Sequence, residues 1–199
     1  MKTRRLVCAI GGMVAAAAVV AGPAPASAQA RGAGQRPPPL IMTTTAFPDG
    51  GKIPDKYTQA SDHPVSPALS WSQVPPSTRS FVLLLHDPEP VMNRSAKMDI
   101  THWLVWNIPA SARGLPEGFG QSEHSDGTRQ VSLRSNGYMG PGAPPGPDHH
   151  YTFELYALDT TLDVPQDAPR EASQTRAAVF DAMDGHVLGK AVLVGRFHR

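Results

Sequence analysis

The sequence of 199 residues contains a single cysteine, Cys8, which lies inside an apolar segment near the N-terminus. One cysteine provides no thiol pair for an intramolecular disulfide, and it excludes a zinc site built from cysteine pairs. Cys8 also lies too near the start of the apolar segment to be a lipoprotein attachment cysteine. We therefore expect no thiol or disulfide chemistry in the part of the chain that follows this segment.

The sequence also lacks an apolar run long enough to cross a membrane. Lys2, Arg4 and Arg5 precede an apolar stretch at residues 6–21, about 16 residues against the ~20 that a spanning helix needs. The stretch ends in Gly and Pro before Ala26-Ser27-Ala28, a small-residue cleavage pattern. This order predicts a signal peptide at residues 1–28, export to the periplasm or the medium, and no stable membrane insertion. Both the general secretory and the twin-arginine routes stay open.

An excess of basic residues is absent as well. Removal of residues 1–28 takes away three bases and no acids, which leaves 15 bases against 17 acids and a net charge of −2. Without a basic stripe, nucleic acid is not an expected partner. About 171 residues suffice for one domain with its own core.

The local signatures of common enzyme classes are missing from the sequence. There is no HExxH, no GxSxG, no GxxxxGK and no cysteine pair, and we find no internal repeat. We therefore predict no catalytic residues, no metal and no cofactor.

Proline and glycine are plentiful, with 21 and 18 residues, and they separate short apolar runs. We interpret residues 29–39 as a Pro/Gly-rich tether and residues 40–199 as one domain. Turn residues between short runs favour a mainly β, all-β sandwich with a helix near the C-terminus. The predicted strands are residues 69–71, 81–85, 103–106, 151–158 and 191–194, with a weaker one at 130–133. The helix is predicted at residues 173–183 before Gly185, and a second helical turn is predicted at residues 186–190.

Polar side chains stand at the ends of the predicted strands. Asp87 and Glu89 follow the strand at residues 81–85, which is apolar on both faces and thus central. His102 precedes the next strand, and His149 and Tyr151 open another on one shared face. A histidine beside a carboxylate can bind an anionic or zwitterionic group. Alternatively, these histidines are hydrogen-bonded core residues and Asp87 caps a turn.

Three motifs together carry a family resemblance. They are DPEP at residues 87–90, THWLVWNIP at 101–109 and GYMGPGAPPGPDHHYTFELYALD at 137–159, preceded by shorter matches at residues 46–75. From about residue 43 to residue 199 the chain resembles the phosphatidylethanolamine-binding family, and most closely its bacterial Raf-kinase-inhibitor-like branch.

The resemblance implies a fold and a site. The implied fold is an antiparallel Greek-key β-sandwich that binds phosphate-bearing or acetate-like ligands. Asp87, His102, His149 and Tyr151 match positions that line the family's anion pocket, and Gly140 and Pro141 match its rim.

Two positions of the sequence depart from the family pattern. Glu89 stands where a second Asp is usual, and His150 stands where an Arg is usual. Strand alternation places His150 on the face opposite His149, so this change is expected to affect an ion pair behind the pocket.

Three functions are consistent with the sequence. The leading hypothesis is a ligand-binding protein in which His102 and His149 donate to a small anionic or phosphorylated ligand. The second is a modulator of a protein partner such as an extracellular serine protease. The third is a phosphoester hydrolase in which His86, Asp87, His102 and His149 bind zinc or relay protons. The resemblance also suggests a homodimer.

Overall fold

The computed structural model describes residues 39–121, 124–166 and 172–199. The predicted signal peptide, and all of the predicted tether except its last residue, lie outside these ranges. Within them the protein is mainly β, as the sequence predicts, with nine strands in two sheets and two α-helices.

The strands and helices follow one another along the chain with irregular segments between them. The elements are β1 Ile41–Thr43, β2 Gly51–Lys52, β3 Leu69–Ser72, β4 Ser80–Asp87, α1 Glu89–Met92, β5 Ile100–Pro109, β6 Gly114–Leu115, β7 Arg129–Val131, β8 His149–Leu158, α2 Ala172–Met183 and β9 Val187–Phe197. Two 3₁₀ turns add to these, at Asp55–Tyr57 and Phe119–Gln121.

The larger sheet has six strands in the order β2-β9-β8-β4-β5-β7, and the smaller one has the order β1-β3-β6. All pairs are antiparallel except β2 with β9. Strand β4 lies inside the large sheet between β8 and β5, which confirms its predicted central position.

Each face of the large sheet covers a separate core because side chains alternate along its strands. Phe81, Leu83 and Leu85 of β4 pack into the core that also contains Met42 and Trp71 of the small sheet. Val82 and Leu84 face the other way and pack with Val179 and Met183 of α2. The residues of β4 from Phe81 to Leu85 are fully buried, since both faces of the strand are covered.

The predicted second helical turn at residues 186–190 is wrong, because this segment begins strand β9. The strand runs from Val187 to Phe197 and pairs with the whole of β8, from Leu158 opposite Val187 to His149 opposite Phe197. That ladder satisfies backbone groups that a single helical turn would leave unpaired. The short helix α1 was not predicted. Among the described residues, neither helix has the length and apolar character to cross a bilayer.

Candidate functional site

Three strand ends meet at one edge of the large sheet. Strand β4 ends at Asp87, where its antiparallel neighbour β5 begins with Ile100 directly opposite. On the other side of β4, strand β8 begins at His149 and reaches His86 with Thr152. The polar residues that the sequence places at separate strand ends therefore come together around one cavity of about 330 Å³.

Asp87 and His149 form a hydrogen-bonded pair in the wall of this cavity. The carboxylate Oδ2 of Asp87 accepts from Nδ1 of His149 at 2.7 Å, and Oδ1 accepts from the backbone N–H of Glu89 at 3.1 Å. Burial raises the pKa of Asp87, and the hydrogen bond from His149 opposes that rise. With Nδ1 donating to Asp87, the Nε2 atom of His149 is the ring nitrogen left for a ligand.

His102 is buried, with 3% of its surface exposed, and it lines the same cavity. Its Nδ1 lies 3.1 Å from the carbonyl oxygens of both Met139 and Gly140. Its Nε2 is also buried and has no hydrogen-bond partner among the residues that the structure describes. Burial lowers the pKa of His102 to about 4, against the opposing effect of the two carbonyl groups.

Tyr151 joins His149 on the inner face of β8, as strand alternation predicts. Its hydroxyl oxygen accepts hydrogen bonds from the backbone N–H groups of Gly142 at 3.1 Å and Ala143 at 2.9 Å. Its ring meets the ring of His102 edge to face at 5.1 Å. Burial and the neighbouring Asp87 carboxylate raise the pKa of Tyr151. Tyr151 therefore fixes the loop after Gly140 against the cavity and stays protonated at physiological pH.

The other three predicted site residues lie behind the cavity wall rather than on it. The Gly140 carbonyl holds His102, and the Pro141 carbonyl accepts the backbone N–H of Gln59 at 2.8 Å. Glu89 Oε1 lies 2.7 Å from Nδ1 of His150 on the opposite face of the sheet. The described residues that line this side of the cavity include Gly142, Ala143 and Pro144, and not Gly140 or Pro141.

His150 lies on the face of the sheet opposite His149, where strand alternation places it, and its partner there is Glu89. Burial raises the pKa of Glu89, but its hydrogen-bonding interactions, chiefly those with His150 and Asp87, together outweigh burial and lower the net pKa. His150 does not line the cavity, and its side chain is 55% exposed. The two departures from the family pattern therefore contact each other.

Sequence reasoning missed several lining residues. Arg134 brings a positive charge to the cavity and donates to Oε1 of Gln59 at 3.4 Å. Leu133, Met139 and Ile100 supply apolar surface. Arg134 lies in the irregular segment between β7 and β8, where no periodicity shows which side chains face inward. The length of that segment was the only signal, since long irregular segments are frequently binding loops.

The residues proposed as a zinc site are not all brought together. His86 faces away from the cavity, and its Nδ1 contacts Oδ2 of Asp99 at 2.6 Å on the opposite face of the sheet. Within the described residues, Asp87, Glu89 and His149 do offer one ligand atom each within 4.8 Å of one another. His149 Nδ1 and Glu89 Oε1 are engaged in hydrogen bonds, whereas the buried Oε2 of Glu89 has no hydrogen-bond partner among the described residues.

Comparison with known proteins gives one consistent match. The family model described as phosphatidylethanolamine-binding protein matches residues 43–198. A UPF0098 protein of Methanothermobacter thermautotrophicus is 39% identical over 163 residues, which cover 80% of this chain and 99% of the relative. A UPF0098 protein of Chlamydia trachomatis is 35% identical over 163 residues, with the same shares covered.

Solved structures agree with these sequence matches. A phosphatidylethanolamine-binding protein homologue from Chlamydia trachomatis superimposes with a TM-score of 0.67 at 32% identity, covering 81% of this chain and 98% of that one. The E. coli protein YbcL superimposes with a TM-score of 0.64 at 22% identity, covering 80% and 98%. The second similarity concerns the fold alone.

Proposed function

Because the chain belongs to the phosphatidylethanolamine-binding protein family, whose members are generally non-catalytic binding proteins, we propose that it binds a small phosphate- or carboxylate-bearing ligand in the cavity at the end of β4. No chemical step is required of the site in this proposal. The ligand is held between the Asp87–His149 pair, His102 and Arg134.

The observation that carries this proposal is the set of polar groups that converge on a partly apolar cavity. Arg134 provides N–H groups that can donate to an anion, and Nε2 of His149 can donate as well when its ring carries both protons, while Asp87 keeps that ring in one orientation. A volume of about 330 Å³ lies at the lower end of the range for small-molecule sites. Ligand sites of this kind combine apolar walls with a few polar groups that fix orientation.

The test is a calorimetric titration of residues 29–199 with phosphoethanolamine at about pH 6, just below the ordinary histidine pKa near 6.5. We compare Arg134→Gln with Arg79→Gln as the control. Arg79 is an exposed arginine just before β4, and the chain from Arg79 to Asp87 at the cavity spans about 26 Å at 3.3 Å per residue. Arg134→Gln is expected to weaken binding about fivefold or more, and Arg79→Gln is expected to leave it unchanged.

Phosphorus NMR on the same samples tests the absence of catalysis. The phosphoethanolamine signal is expected to broaden or shift on binding while no inorganic phosphate appears. Release of phosphate by wild type but not by a His149→Ala variant would replace the binding proposal with the hydrolase hypothesis. The absence of any binding would favour the protein-partner hypothesis instead.

We also propose that the protein acts outside the cytoplasm, a proposal supported by the sequence of residues 1–28 alone. Expression of the full chain in a bacterial host, followed by N-terminal sequencing of the exported protein, tests it. The mature protein is expected to begin at Gln29. Recovery of the uncleaved chain in the cytoplasm alone would contradict the proposal.

A further inference from the structure

The hydrogen bonds of His102 determine which of its ring nitrogens can donate. Carbonyl oxygens only accept, so Nδ1, at 3.1 Å from those of Met139 and Gly140, must carry the proton of the neutral ring. In that tautomer Nε2 presents a lone pair. It is buried without a partner among the described residues, and the ring lines the cavity. The wall of the cavity therefore contains a buried acceptor that no described residue satisfies.

The surroundings of His102 keep its ring neutral. The pKa of the ring falls to about 4 because the ring is buried, and the neighbouring Arg134 and His86 add smaller electrostatic effects in the same direction. The other titratable groups of the cavity are Asp87, His149 and Tyr151, of which Asp87 and His149 are paired with each other. The neutral ring therefore predominates at pH 7.

A buried acceptor without a donor is costly, and it discriminates strongly between ligands that do and do not provide one. An oxyanion with lone pairs only would meet the lone pair of Nε2, and the two would repel. A ligand oxygen that carries a hydrogen would instead donate to Nε2 and satisfy it.

We infer that His102 makes this cavity selective for ligands that bring their own proton, so that it binds the monoprotonated form of a phosphate monoester in preference to its fully ionised form or to a proton-free monoanion. This inference rests on the proposed function, because it specifies the protonation state of the ligand at the same site. The negative charge of the ligand then faces Arg134 and His149, and its P–OH donates to His102.

Two small probes of similar shape separate the proton of the ligand from the protons of the protein. Methyl phosphate has a second pKa near 6, so about three quarters of it is monoprotonated at about pH 5.5 and about 3% at about pH 7.5. Methyl sulfate carries one negative charge and no proton across this range. Calorimetric titration of residues 29–199 with each probe at both pH values is the experiment.

Methyl phosphate is expected to bind at least tenfold more tightly than methyl sulfate at about pH 5.5. Its apparent affinity is expected to fall about 25-fold by about pH 7.5, because the monoprotonated fraction falls by that factor. Buffers of different ionisation enthalpy are expected to show uptake of about one proton with methyl phosphate at the higher pH. The weaker binding of methyl sulfate is expected to fall much less.

Two results would overturn the inference. If methyl sulfate bound as tightly as methyl phosphate with the same pH dependence, the protein would be supplying the proton and ligand-binding itself would stand. If neither probe bound at either pH, the proposed function would fail and the inference with it.

A His102→Asn variant gives a second readout. Asparagine keeps an N–H donor near the position of Nδ1 and removes Nε2. The ratio of the affinity for methyl phosphate to that for methyl sulfate at about pH 5.5 is therefore expected to fall from tenfold or more to about one. An unchanged ratio in a variant with wild-type circular dichroism would overturn the role of His102. The comparison of the two probes on wild type does not depend on the folding of this variant.

Discussion

Asp87 is a buried carboxylate, only 2% exposed, at the end of a central strand. Burial raises its folded pKa, so the ionised form at neutral pH is less favourable in the folded state than in the unfolded chain. Its contribution to stability is therefore greatest at low pH and declines as pH rises through the unfolded and folded pKa values. The presence of a buried acid at this position is therefore better explained by a role in ligand binding than by a contribution to the stability of the fold.

Asp87→Asn is therefore expected to leave the free energy of unfolding at about pH 7 unchanged, or to raise it by about 1 kcal/mol. The asparagine oxygen can still accept from His149, while the buried charge is lost. Urea unfolding at about pH 5 and 7 measures this, and binding of methyl phosphate is expected to weaken in the same variant. A loss of more than about 2 kcal/mol would show that the pair with His149 is net stabilising.

The residues of the site differ in how far the sequence could predict them. The sequence predicts the approximate position of four of them, because they lie at or near the ends of apolar strands: Asp87, His102, His149 and Tyr151. The hydrogen bonds of His102 Nδ1 could not be predicted from the sequence. Their acceptors are the carbonyl groups of Met139 and Gly140, which lie 37 and 38 residues further along the chain in an irregular loop. The orientation of the ring, and hence its role as acceptor, follows only from that loop.

Among the elements, helix α2 was predicted to within one residue of its start. The predicted cap, Gly185, has a φ of +77°, which a glycine adopts at low cost just after a helix. The extent of β9 was not predicted, because its first residues, Val187 and Leu188, become strand only through pairing with β8. Local propensity was overridden there by a tertiary ladder.

Helix α2 is joined to the sheet by an ion pair on the face opposite the cavity. Asp99 accepts from Arg176 of α2 at 2.7 Å and from His86 of β4 at 2.6 Å. Burial raises the pKa of Asp99, but these two hydrogen bonds outweigh it and lower the pKa to about 2. The resulting stabilisation is complete above the unfolded pKa near 4 and is lost as pH falls through about 2.

Asp99→Asn is expected to lower the free energy of unfolding by about 2 kcal/mol at about pH 6, the opposite sign to Asp87→Asn. The difference from wild type is expected to shrink between about pH 4 and pH 2. Asp181→Asn, an exposed acid on the same helix, serves as the control and is expected to cost less than about 0.5 kcal/mol. Parallel pH profiles for wild type and Asp99→Asn would contradict this stabilising role of Asp99.

The loop that holds His102 depends on a close backbone approach at Gly140. A Cβ at this position would lie 2.9 Å from the carbonyl oxygen of Tyr57 and 3.0 Å from Cα of Thr58. The Gly140 carbonyl also accepts from His102, so movement of this loop changes the site directly.

Gly140→Ala is expected to cost about 1–3 kcal/mol of stability and to weaken binding of methyl phosphate. Gly127→Ala is the matched control, because its positive φ of 90° strains an alanine while nothing lies within 4 Å of the added Cβ. That variant is expected to lose about 1–3 kcal/mol with unchanged binding. Equal effects on binding in both variants would show that Gly140 acts only through stability. Urea unfolding and calorimetry make the comparison.

At the scale of the whole molecule, the site follows from the antiparallel order of the large sheet. Neighbouring antiparallel strands place the end of one beside the start of the next, so the C-terminal residues of β4 meet the N-terminal residues of β5 and β8. Both faces of this sheet are covered, one by the small sheet and one by α2. The strands therefore form a rigid base, and binding residues are added at their ends.

The described core begins at the N-terminal edge of the domain. Leu40 and Met42 are each 5% exposed, and strand β1 pairs with β3 from Ile41 to Thr43. The composition of residues 29–39 predicts no buried apolar surface, whereas these two side chains belong to the core between the sheets. Stability is therefore expected to change abruptly between residues 39 and 44.

This expectation is tested by successive truncations of the mature chain. The free energy of unfolding of residues 40–199 is expected to lie within about 0.5 kcal/mol of that of residues 29–199, because the composition of residues 29–39 predicts no buried apolar surface to lose. Residues 44–199 are expected to lose more than about 3 kcal/mol, since Leu40, Met42 and the ladder to β3 are removed together. Urea unfolding followed by tryptophan fluorescence measures both. A loss of more than about 1 kcal/mol on removal of residues 29–39 would show that the segment packs on the domain rather than serving as a tether.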